Sequence, residues 1–345
     1  MKKNNFYFTL VFVLIAVFFW QGIYLPKDSN SKEEKVFLIK KGEGTKDIAL
    51  NLEKEGLIKS VSLFRFYALT IGVSGKLQAG NYLLSPLMNT HEITKKLVFG
   101  KVIKEKITII EGWNLRDIGW YLENKGLFQA EELFEATGFP TINYSKTTDL
   151  PIPKDFSEEF DFLKDKPDNI GLEGFLFPDT YEITSEENVE EIIKMMLVNF
   201  GKKLTPEIKE KIKSQNKTVF EVIIMASLIE KEVRTTKDRE IVSGVLWKRL
   251  KNGVPLQVDA TISYITGEKT VKISKEETKI DSFYNTYKYR GLPLGPISNP
   301  GIESILAVLN PKESDFWYYL STPEGETIFS ETLEKHNIAK VKYLK

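Results

Sequence analysis

An internal repeat is the feature that most constrains the fold of this 345-residue chain. The segment KGEGTKDIALNLEKEGLI (Lys41–Ile58) aligns without a gap to EGWNLRDIGWYLENKGLF (Glu111–Phe128), so that Gly42 matches Gly112. A strand-like run, VFLI or KITII, precedes each copy. Two copies of a strand–turn–helix unit predict an α+β fold rather than a helical bundle or a sheet sandwich.

Within each copy, apolar residues at i and i+4 predict a helix with one buried face, and a glycine predicts its end. Thr45 or Asn114 is placed to cap this helix, and a second helix is predicted from near Ser62 or Ala130. Strand, turn and two helices resemble a LysM module, a fold associated with binding N-acetylglucosamine-containing glycans. Packed α+β units without a ligand fit the residues equally well. The apolar and glycine positions are Ile48/Ile118, Leu52/Leu122 and Gly56/Gly126.

The amino terminus predicts the compartment. Lys2 and Lys3 precede an uncharged run, Phe6–Leu25, which at about 1.5 Å per helical residue is long enough to cross a hydrocarbon core of about 30 Å. Trp20 and Tyr24 stand where an outer interfacial belt would lie. A cleaved signal peptide is the alternative, but the run is long and no A-x-A-like site follows it. We therefore expect a single N-terminal transmembrane helix, with the rest of the chain outside the cytoplasmic membrane.

Composition excludes several kinds of function. The 48 Lys and Arg residues balance the 48 Asp and Glu residues, so no net charge would attract the chain to nucleic acid. The chain has no Cys and only 2 His, which argues against disulfides, a thiolate nucleophile and a His/Cys metal site. We expect no metal, no cofactor and no nucleic-acid partner.

The domain plan follows from these segments. Residues 1–25 are predicted to be a cytoplasmic tip and membrane anchor, 26–35 a linker, and 36–140 the LysM-like repeat region. Residues 141–170 are rich in Pro, Asp and Lys and predict a surface loop. Residues 171–345 predict a mixed α+β domain without a βαβ rhythm and without a dinucleotide or phosphate loop.

Glu230 is the first candidate for chemistry, in the predicted helix TVFEVIIMASLIEKEV. Ala226 and Ser227 lie one turn before it, where small side chains leave room for a ligand. A carboxyl half-shielded by apolar neighbours has a raised pKa and can serve as a general acid. The alternative is that this charged helix end is simply solvated. Glu232 points to another side of the helix and ranks below Glu230.

Three further segments combine polar groups with aromatic rings, as sugar binding requires. Alternation in LQVDATISY predicts an extended segment with Gln257 and Asp259 on one side. GLEGFLFPDTYEI could also be no more than a structural turn. In YNTYKYRGLPLGPISNPG, Gly and Pro fix the path of a polar loop. The candidate sugar-binding residues are Glu173, Asp179, Tyr181, Gln257, Asp259, Asn285, Tyr287 and Asn299.

Five motifs, in order, closely resemble those of the YceG-like endolytic murein transglycosylases (MltG): LEGFLFPDTY, ASLIEKE, LQVDATISY, YNTYKYRGLPLGPISNPG and FSETLEKHN. The resemblance covers almost the whole chain. It implies a YceG-like catalytic domain that cuts nascent glycan strands internally and so terminates their elongation. Peptidoglycan glycan strands are the implied substrate, and peptidoglycan synthases are the implied partners.

The resemblance also implies roles for particular residues. The match to ASLIEKE implies Glu230 as the single catalytic residue, and five candidates match positions expected to line the cleft. Leu294, where many relatives have a second Pro, and Thr327, near a position often held by His, are departures that put loop shape and rim contacts in doubt. The five expected cleft residues are Glu173, Gln257, Asp259, Asn285 and Tyr287.

A lytic transglycosylase needs one carboxyl, whereas ordinary glycosidases use two. The acid protonates the glycosidic oxygen and then, as a carboxylate, deprotonates the C6 hydroxyl of the same N-acetylmuramic acid, which closes to a 1,6-anhydro end. The residues alone leave two alternatives open. One is a non-catalytic peptidoglycan-binding scaffold for wall synthases. The other is a hydrolase that pairs Glu230 with Asp179, Glu173 or Asp259.

Overall fold

The computed structural model describes residues 2–31, 33–100, 103–147, 149–184, 187–268 and 273–344. It forms two units, one comprising Met1–Ile107 and Glu182–Glu187, the other Thr108–Tyr181 and Asn188–Lys345. The first copy of the repeat therefore belongs to the first unit and the second copy to the second. The predicted domain boundaries stay predictions, because this division describes packing alone.

The first unit is built around the first copy of the repeat. Strand β1 (Lys35–Ile39) pairs antiparallel with β2 (Gly80–Leu84), so that Phe37 lies opposite Tyr82, and both side chains are buried with Ile48 and Leu52 of the intervening helix. That helix ends before Gly56, whose φ of 74° is the left-handed conformation expected there. The elements are β1 (Lys35–Ile39), α2 (Thr45–Lys54), α3 (Val61–Thr70), β2 (Gly80–Leu84) and α4 (Thr90–Val98).

The second unit begins with the second copy of the repeat and continues as a mainly helical body. Strand β3 (Glu105–Thr108) pairs with β4 (Thr180–Ile183), and the division into units falls within both strands. In the second unit, β5 (Tyr318–Ser321) pairs antiparallel with β6 (Thr327–Ser330). The remaining elements are α5 (Leu115–Asn124), α6 (Ala130–Thr137), a 3-10 turn (Asp161–Leu163), α7 (Val189–Lys203), α8 (Pro206–Ser214), α9 (Val219–Glu232), α10 (Thr236–Lys251), α11 (Asp259–Thr266), a 3-10 turn (Glu277–Lys279), α12 (Ile302–Leu309) and α13 (Leu333–Tyr343).

Helix α9 is the central element of this body. Its start is fixed by a capping box, in which the Thr218 hydroxyl accepts from the Glu221 amide and the Glu221 carboxylate accepts from the Thr218 amide. From Phe220 to Ile229 every residue except Glu221 is buried. A helix that is apolar on all sides lies inside a protein rather than on its surface. Helices α10, α11 and α12 all contact α9.

The first helix, α1 (Lys2–Tyr24), corrects the prediction of a membrane anchor. Its last turns pack against α3 and α4 of the same unit: the Phe19 ring lies 4.9 Å from that of Phe66, and the Tyr24 ring 5.6 Å from that of His91. Part of its apolar surface is therefore used within the protein. Among the described residues, no helix combines the length and apolarity needed to cross a membrane. The predicted single-pass transmembrane helix is wrong, and so is the predicted localisation in the cytoplasmic membrane.

Two local predictions are also wrong. Gly44, not Thr45, occupies the cap position of α2, because the Thr45 hydroxyl donates instead to the Ser74 carbonyl. LQVDATISY is not extended throughout: Gln257 adopts a φ of 53°, which turns the chain, and α11 then begins at Asp259. A short polar–apolar alternation could not distinguish these two conformations.

Candidate active site

A cleft of about 910 Å³ opens in the second unit. Its walls come from the start of α5, the end of α9, the segment that enters α11, the loop after Asn285, and strand β5. Polar groups and aromatic rings alternate along these walls, which is the combination that binds sugar rings. The lining side chains include Trp113, Arg116, Trp120, Glu232, Arg249, Gln257, Asp259, Tyr287, Tyr318 and Tyr319.

Glu232, the last residue of α9, presents a half-buried carboxyl to this cleft. Burial, and after it the negative charge of Asp259, raise the pKa of Glu232 to about 7. Hydrogen bonds from the Tyr319 hydroxyl and the Ala260 amide act in the opposite direction. A carboxyl that gains and loses its proton near neutrality is suited to act first as an acid and then as a base.

Glu230 lies two residues earlier and faces another direction. Because each helical residue is rotated by about 100° from the one before it, the two side chains point in nearly opposite directions from the helix. Glu230 Oε1 accepts from Arg239 Nη2 at 3.0 Å, while Oε2 accepts from the Gly301 amide at 3.0 Å and the Ser304 hydroxyl at 2.7 Å. Its side chain is 6% exposed, and that of Arg239 is 11% exposed. Glu230 thus joins α9 to α10 and to the start of α12, and it does not line the cleft.

The small residues before Glu230 do not leave room for a ligand. Ser227 is fully buried, and its hydroxyl donates to the Ile224 carbonyl and accepts from the Ile297 amide at 3.0 Å. The Ser227 carbonyl accepts from the Ser298 hydroxyl. The loop after Pro296 therefore fills this space, and the prediction that a ligand occupies it is wrong.

Three of the predicted sugar-binding residues meet at the cleft: Gln257, Asp259 and Tyr287. The Tyr287 hydroxyl donates to the Asp259 carboxylate, and the backbone N–H of Gln257 donates to the Thr286 carbonyl at 3.1 Å. The segment entering α11 is thereby tied to the loop that carries Tyr287. Asp259 and Gln257 are exposed to the cleft, so both can reach a bound sugar.

Glu173 and Asn299 lie behind the cleft wall rather than in it. Glu173 is 4% exposed and accepts from the Leu115 amide, the Tyr264 hydroxyl and the Asn299 side-chain amide. Burial raises the pKa of Glu173 to about 8 in spite of the first two of these bonds. Asn299 also accepts from the Leu176 amide and donates to the Trp113 carbonyl. These two residues hold the start of α5, and with it Trp113, in position.

Asn285 has a comparable supporting role. It is fully buried, donates to the Thr278 and Ile280 carbonyls, and accepts from the Tyr287 amide at 2.9 Å. It therefore shapes the loop that presents Tyr287 without lining the cleft itself.

Asp179 and Tyr181 are not brought to the cleft. Asn199 of α7 donates to the Asp179 carboxylate at 3.0 Å and to the Tyr181 hydroxyl at 3.2 Å. The Tyr181 hydroxyl donates to the Phe177 carbonyl. Both residues fix the turn that leads into β4, in agreement with the alternative interpretation of GLEGFLFPDTYEI as a structural turn.

Sequence reasoning ranked Glu232, which lines the cleft, below Glu230, which does not, and it did not single out Tyr319. The signal for Glu232 was available in its position at the end of a buried helix, but helical angle alone does not say which face borders a cavity. Arg249 was also missed: it is buried, donates to the Trp317 and Leu256 carbonyls, and lies 5.0 Å from the Tyr318 ring. Within the described ranges, no cluster of three or more His, Asp or Glu side chains is placed to hold a metal ion.

Comparison with known proteins identifies the family to which this chain belongs. The family model described as "YceG-like family" matches residues 37–342, which is most of the chain. The chain belongs to the YceG-like family. A YceG-like protein from Bacillus subtilis, named endolytic murein transglycosylase, is 33% identical over 333 residues, covering 95% of this chain and 90% of its own length.

Two further relatives extend the comparison. A Streptococcus pneumoniae D39 protein of the same name is 34% identical over 329 residues, and the matched region spans 59% of its length. The crystal structure of a YceG-like protein from Listeria monocytogenes matches with a TM-score of 0.57 at 33% identity, covering 90% of this chain and all of that one. The comparisons support the α+β YceG-like fold and give no support to the LysM resemblance.

Proposed function

We propose that this YceG-like protein is an endolytic murein lytic transglycosylase whose acid and base is Glu232. The carrying observation is a half-buried carboxyl, with a pKa near neutrality, that faces a cleft lined with sugar-binding side chains. The name shared by its relatives supports peptidoglycan as the substrate and lytic transglycosylation as the reaction. The substrate bond is that between N-acetylmuramic acid and N-acetylglucosamine within a glycan strand.

The chemistry needs a single carboxyl. Protonated Glu232 gives its proton to the glycosidic oxygen as the bond from C1 of the muramic acid breaks. The resulting carboxylate takes the proton of the C6 hydroxyl of the same sugar as its oxygen bonds to C1. The strand ends in 1,6-anhydro-N-acetylmuramic acid, Glu232 recovers its proton, and no water is consumed.

The cleft walls supply positioning rather than further proton transfer. Tyr319 and Ala260 hold the Glu232 carboxyl in place, and Gln257 and Tyr287 offer hydrogen bonds to sugar hydroxyls. Holding the sugar in a reactive orientation lowers the entropic part of the barrier. Termination of glycan elongation and contact with peptidoglycan synthases are parts of the proposal that rest on the family resemblance.

A hydrolase is the second candidate, because Asp259 lies close enough for its charge to act on Glu232. Asp259 could activate a water in place of the C6 hydroxyl. Of the other carboxylates considered from sequence, Glu173 is buried behind the wall and Asp179 lies outside the cleft. The hydrolase would release reducing ends, heavier by one water than anhydro ends.

Mass spectrometry of glycan products tests the proposal. The full chain and its Glu232→Gln variant are incubated with uncrosslinked peptidoglycan strands. We expect internal fragments with anhydro ends from the parent chain and a loss of at least about a hundredfold in rate from the variant, as for removal of a general acid. Water-containing products would establish the hydrolase. Strand binding without cleavage by the parent chain would favour the scaffold.

Glu230→Gln is the matched control, and it also tests the assignment made from sequence. Glu230→Gln is expected to destabilise the second unit by up to about 3 kcal/mol, because the buried Arg239 guanidinium loses its ion-pair partner. At a temperature where the variant remains folded, it should retain cleavage. Cleavage retained by Glu232→Gln and abolished in folded Glu230→Gln would restore Glu230 as the acid.

A further inference from the structure

We propose that a groove beside the cleft, formed by α5, α6 and the loop that follows them, binds the stem peptide that murein carries on its muramic acid. The proposal rests on the proposed function, since it concerns a second part of the same substrate. The groove has a volume of about 610 Å³ and lies wholly in the second unit.

The groove is continuous with the cleft. Arg116 and Trp120, on successive turns of α5, line both cavities. Arg116 Nη1 donates to the Tyr264 carbonyl at 2.8 Å, and its guanidinium lies 5.4 Å from the Tyr264 ring, so its position is fixed. A substrate that fills the cleft with sugar and carries a branch can place that branch in the groove. Murein is such a substrate, because a peptide is attached at the lactyl group of every muramic acid.

The lining of the groove differs from that of the cleft. Its floor is apolar, and Phe134 and Phe139 contact each other with ring centroids 5.8 Å apart. Such a surface suits the methyl groups of an alanine-rich peptide better than sugar hydroxyls, whose hydrogen bonds it could not satisfy. The apolar residues are Phe134, Phe139, Pro140, Ile142 and Leu150.

The charges at the rim match the same ligand. Glu131 is exposed at the start of α6, and Arg116 marks the boundary with the cleft. Glu123 also lies there, but its carboxylate accepts from the Ala130 amide at 3.0 Å and so holds the start of α6. A stem peptide carries carboxylates and the side-chain amine of its diamino acid. The amine complements Glu131, and a carboxylate nearer the sugar complements Arg116.

Equilibrium binding to three kinds of uncrosslinked strand tests this inference. The full chain carrying Glu232→Gln serves here as the parent chain, so that strands are not cleaved during the measurement. The strands carry intact stem peptides, peptides with the diamino-acid amine acetylated, or no peptide. We expect Glu131→Lys to weaken binding of intact strands by about three- to fivefold, the scale of an exposed ion pair. The variant should bind acetylated and peptide-free strands as the parent chain does. Phe139→Ala should weaken both peptide-bearing strands and leave the peptide-free strand unaffected.

Glu135→Lys is the matched control, because Glu135 is exposed on the same helix and does not line the groove. It should bind all three strands as the parent chain does. Equal affinity of the parent chain for intact and peptide-free strands would overturn the inference, as would equal losses from Glu131→Lys and Glu135→Lys. Binding does not depend on turnover, so these outcomes stay distinct from a failure to form anhydro ends, which would count against the proposed function instead.

Discussion

At the scale of single residues, the charge of Asp259 acts on the proton equilibrium of Glu232. Burial is the larger cause of the raised pKa of Glu232, and the Asp259 carboxylate is the second. As the proposed general acid, Glu232 must begin protonated, so activity should fall as pH rises through about 7. The two side chains therefore set the upper limit of the working pH range.

Asp259→Asn is predicted to move this limit to lower pH. The substitution removes the negative charge and retains an acceptor for the Tyr287 hydroxyl, so the pKa of Glu232 falls but stays raised by burial. The measurement is kcat/KM against pH for both proteins. An upper limb that stays in place or moves to higher pH would show that Asp259 has no such influence.

The part of the site that the sequence predicted least well was which of the two carboxyls in α9 faces the cleft. Gln257, Asp259 and Tyr287 do line the cleft, although the extended segment from which Gln257 and Asp259 were predicted does not form. Glu230 and Glu232 look alike in sequence, and the difference between them depends on what packs opposite each one. Arg239, which pairs with Glu230, is in the next helix, and no local pattern connects the two.

At the scale of elements, the two copies of the repeat differ in how their first helix is capped. Asn114 and Asp117 form a capping box at α5, whereas Gly44 gives α2 no side-chain cap. Asn114→Ala should therefore lower the free energy of unfolding by about 1 kcal/mol. Gly44→Asn should raise it by a few tenths of a kcal/mol, since Gly44 already has φ −79° and ψ 155°.

Denaturant unfolding of the two single variants and the double variant would measure both effects. The substitutions lie in different units, so their changes should add. If Asn114→Ala stabilised the protein, or if Gly44→Asn destabilised it, the N-cap side chains would not have the stabilising effect assigned to them here.

Helices were predicted well because their signals are local. The two helices predicted in each copy of the repeat form as α2 and α3 and as α5 and α6, and the helix predicted in TVFEVIIMASLIEKEV forms as α9. The segment predicted as a surface loop at 141–170 was less well described, because Phe156, Phe162 and Leu163 are buried by partners distant in sequence.

At the scale of the whole molecule, one buried and one half-buried carboxyl make stability depend on pH. Glu173 and Glu232 ordinarily titrate near 4.5, but in the folded protein burial raises the pKa of Glu173 to about 8 and that of Glu232 to about 7. Between these limits the folded chain holds protons that the unfolded chain releases. Stability should therefore fall as pH rises from about 4.5 to 8, by at most about 1.4 kcal/mol per pH unit for each group.

Glu173→Gln is predicted to flatten this dependence, because glutamine cannot ionise and still accepts from the Leu115 amide. In thermal unfolding at pH 5, 6.5 and 8, the midpoint temperature of the variant should fall less between pH 5 and pH 8 than that of the parent chain. An unchanged slope would mean that Glu173 does not titrate in this range.

The shared helix of Glu230 and Glu232 has a consequence for genetic screens. A screen for strand cleavage in cells would score substitutions at both positions as reduced, since Glu232→Gln removes the proposed proton donor and Glu230→Gln lowers the amount of folded protein. Measuring the cellular abundance of each variant would separate them: loss of function at normal abundance marks position 232, and loss of abundance marks position 230.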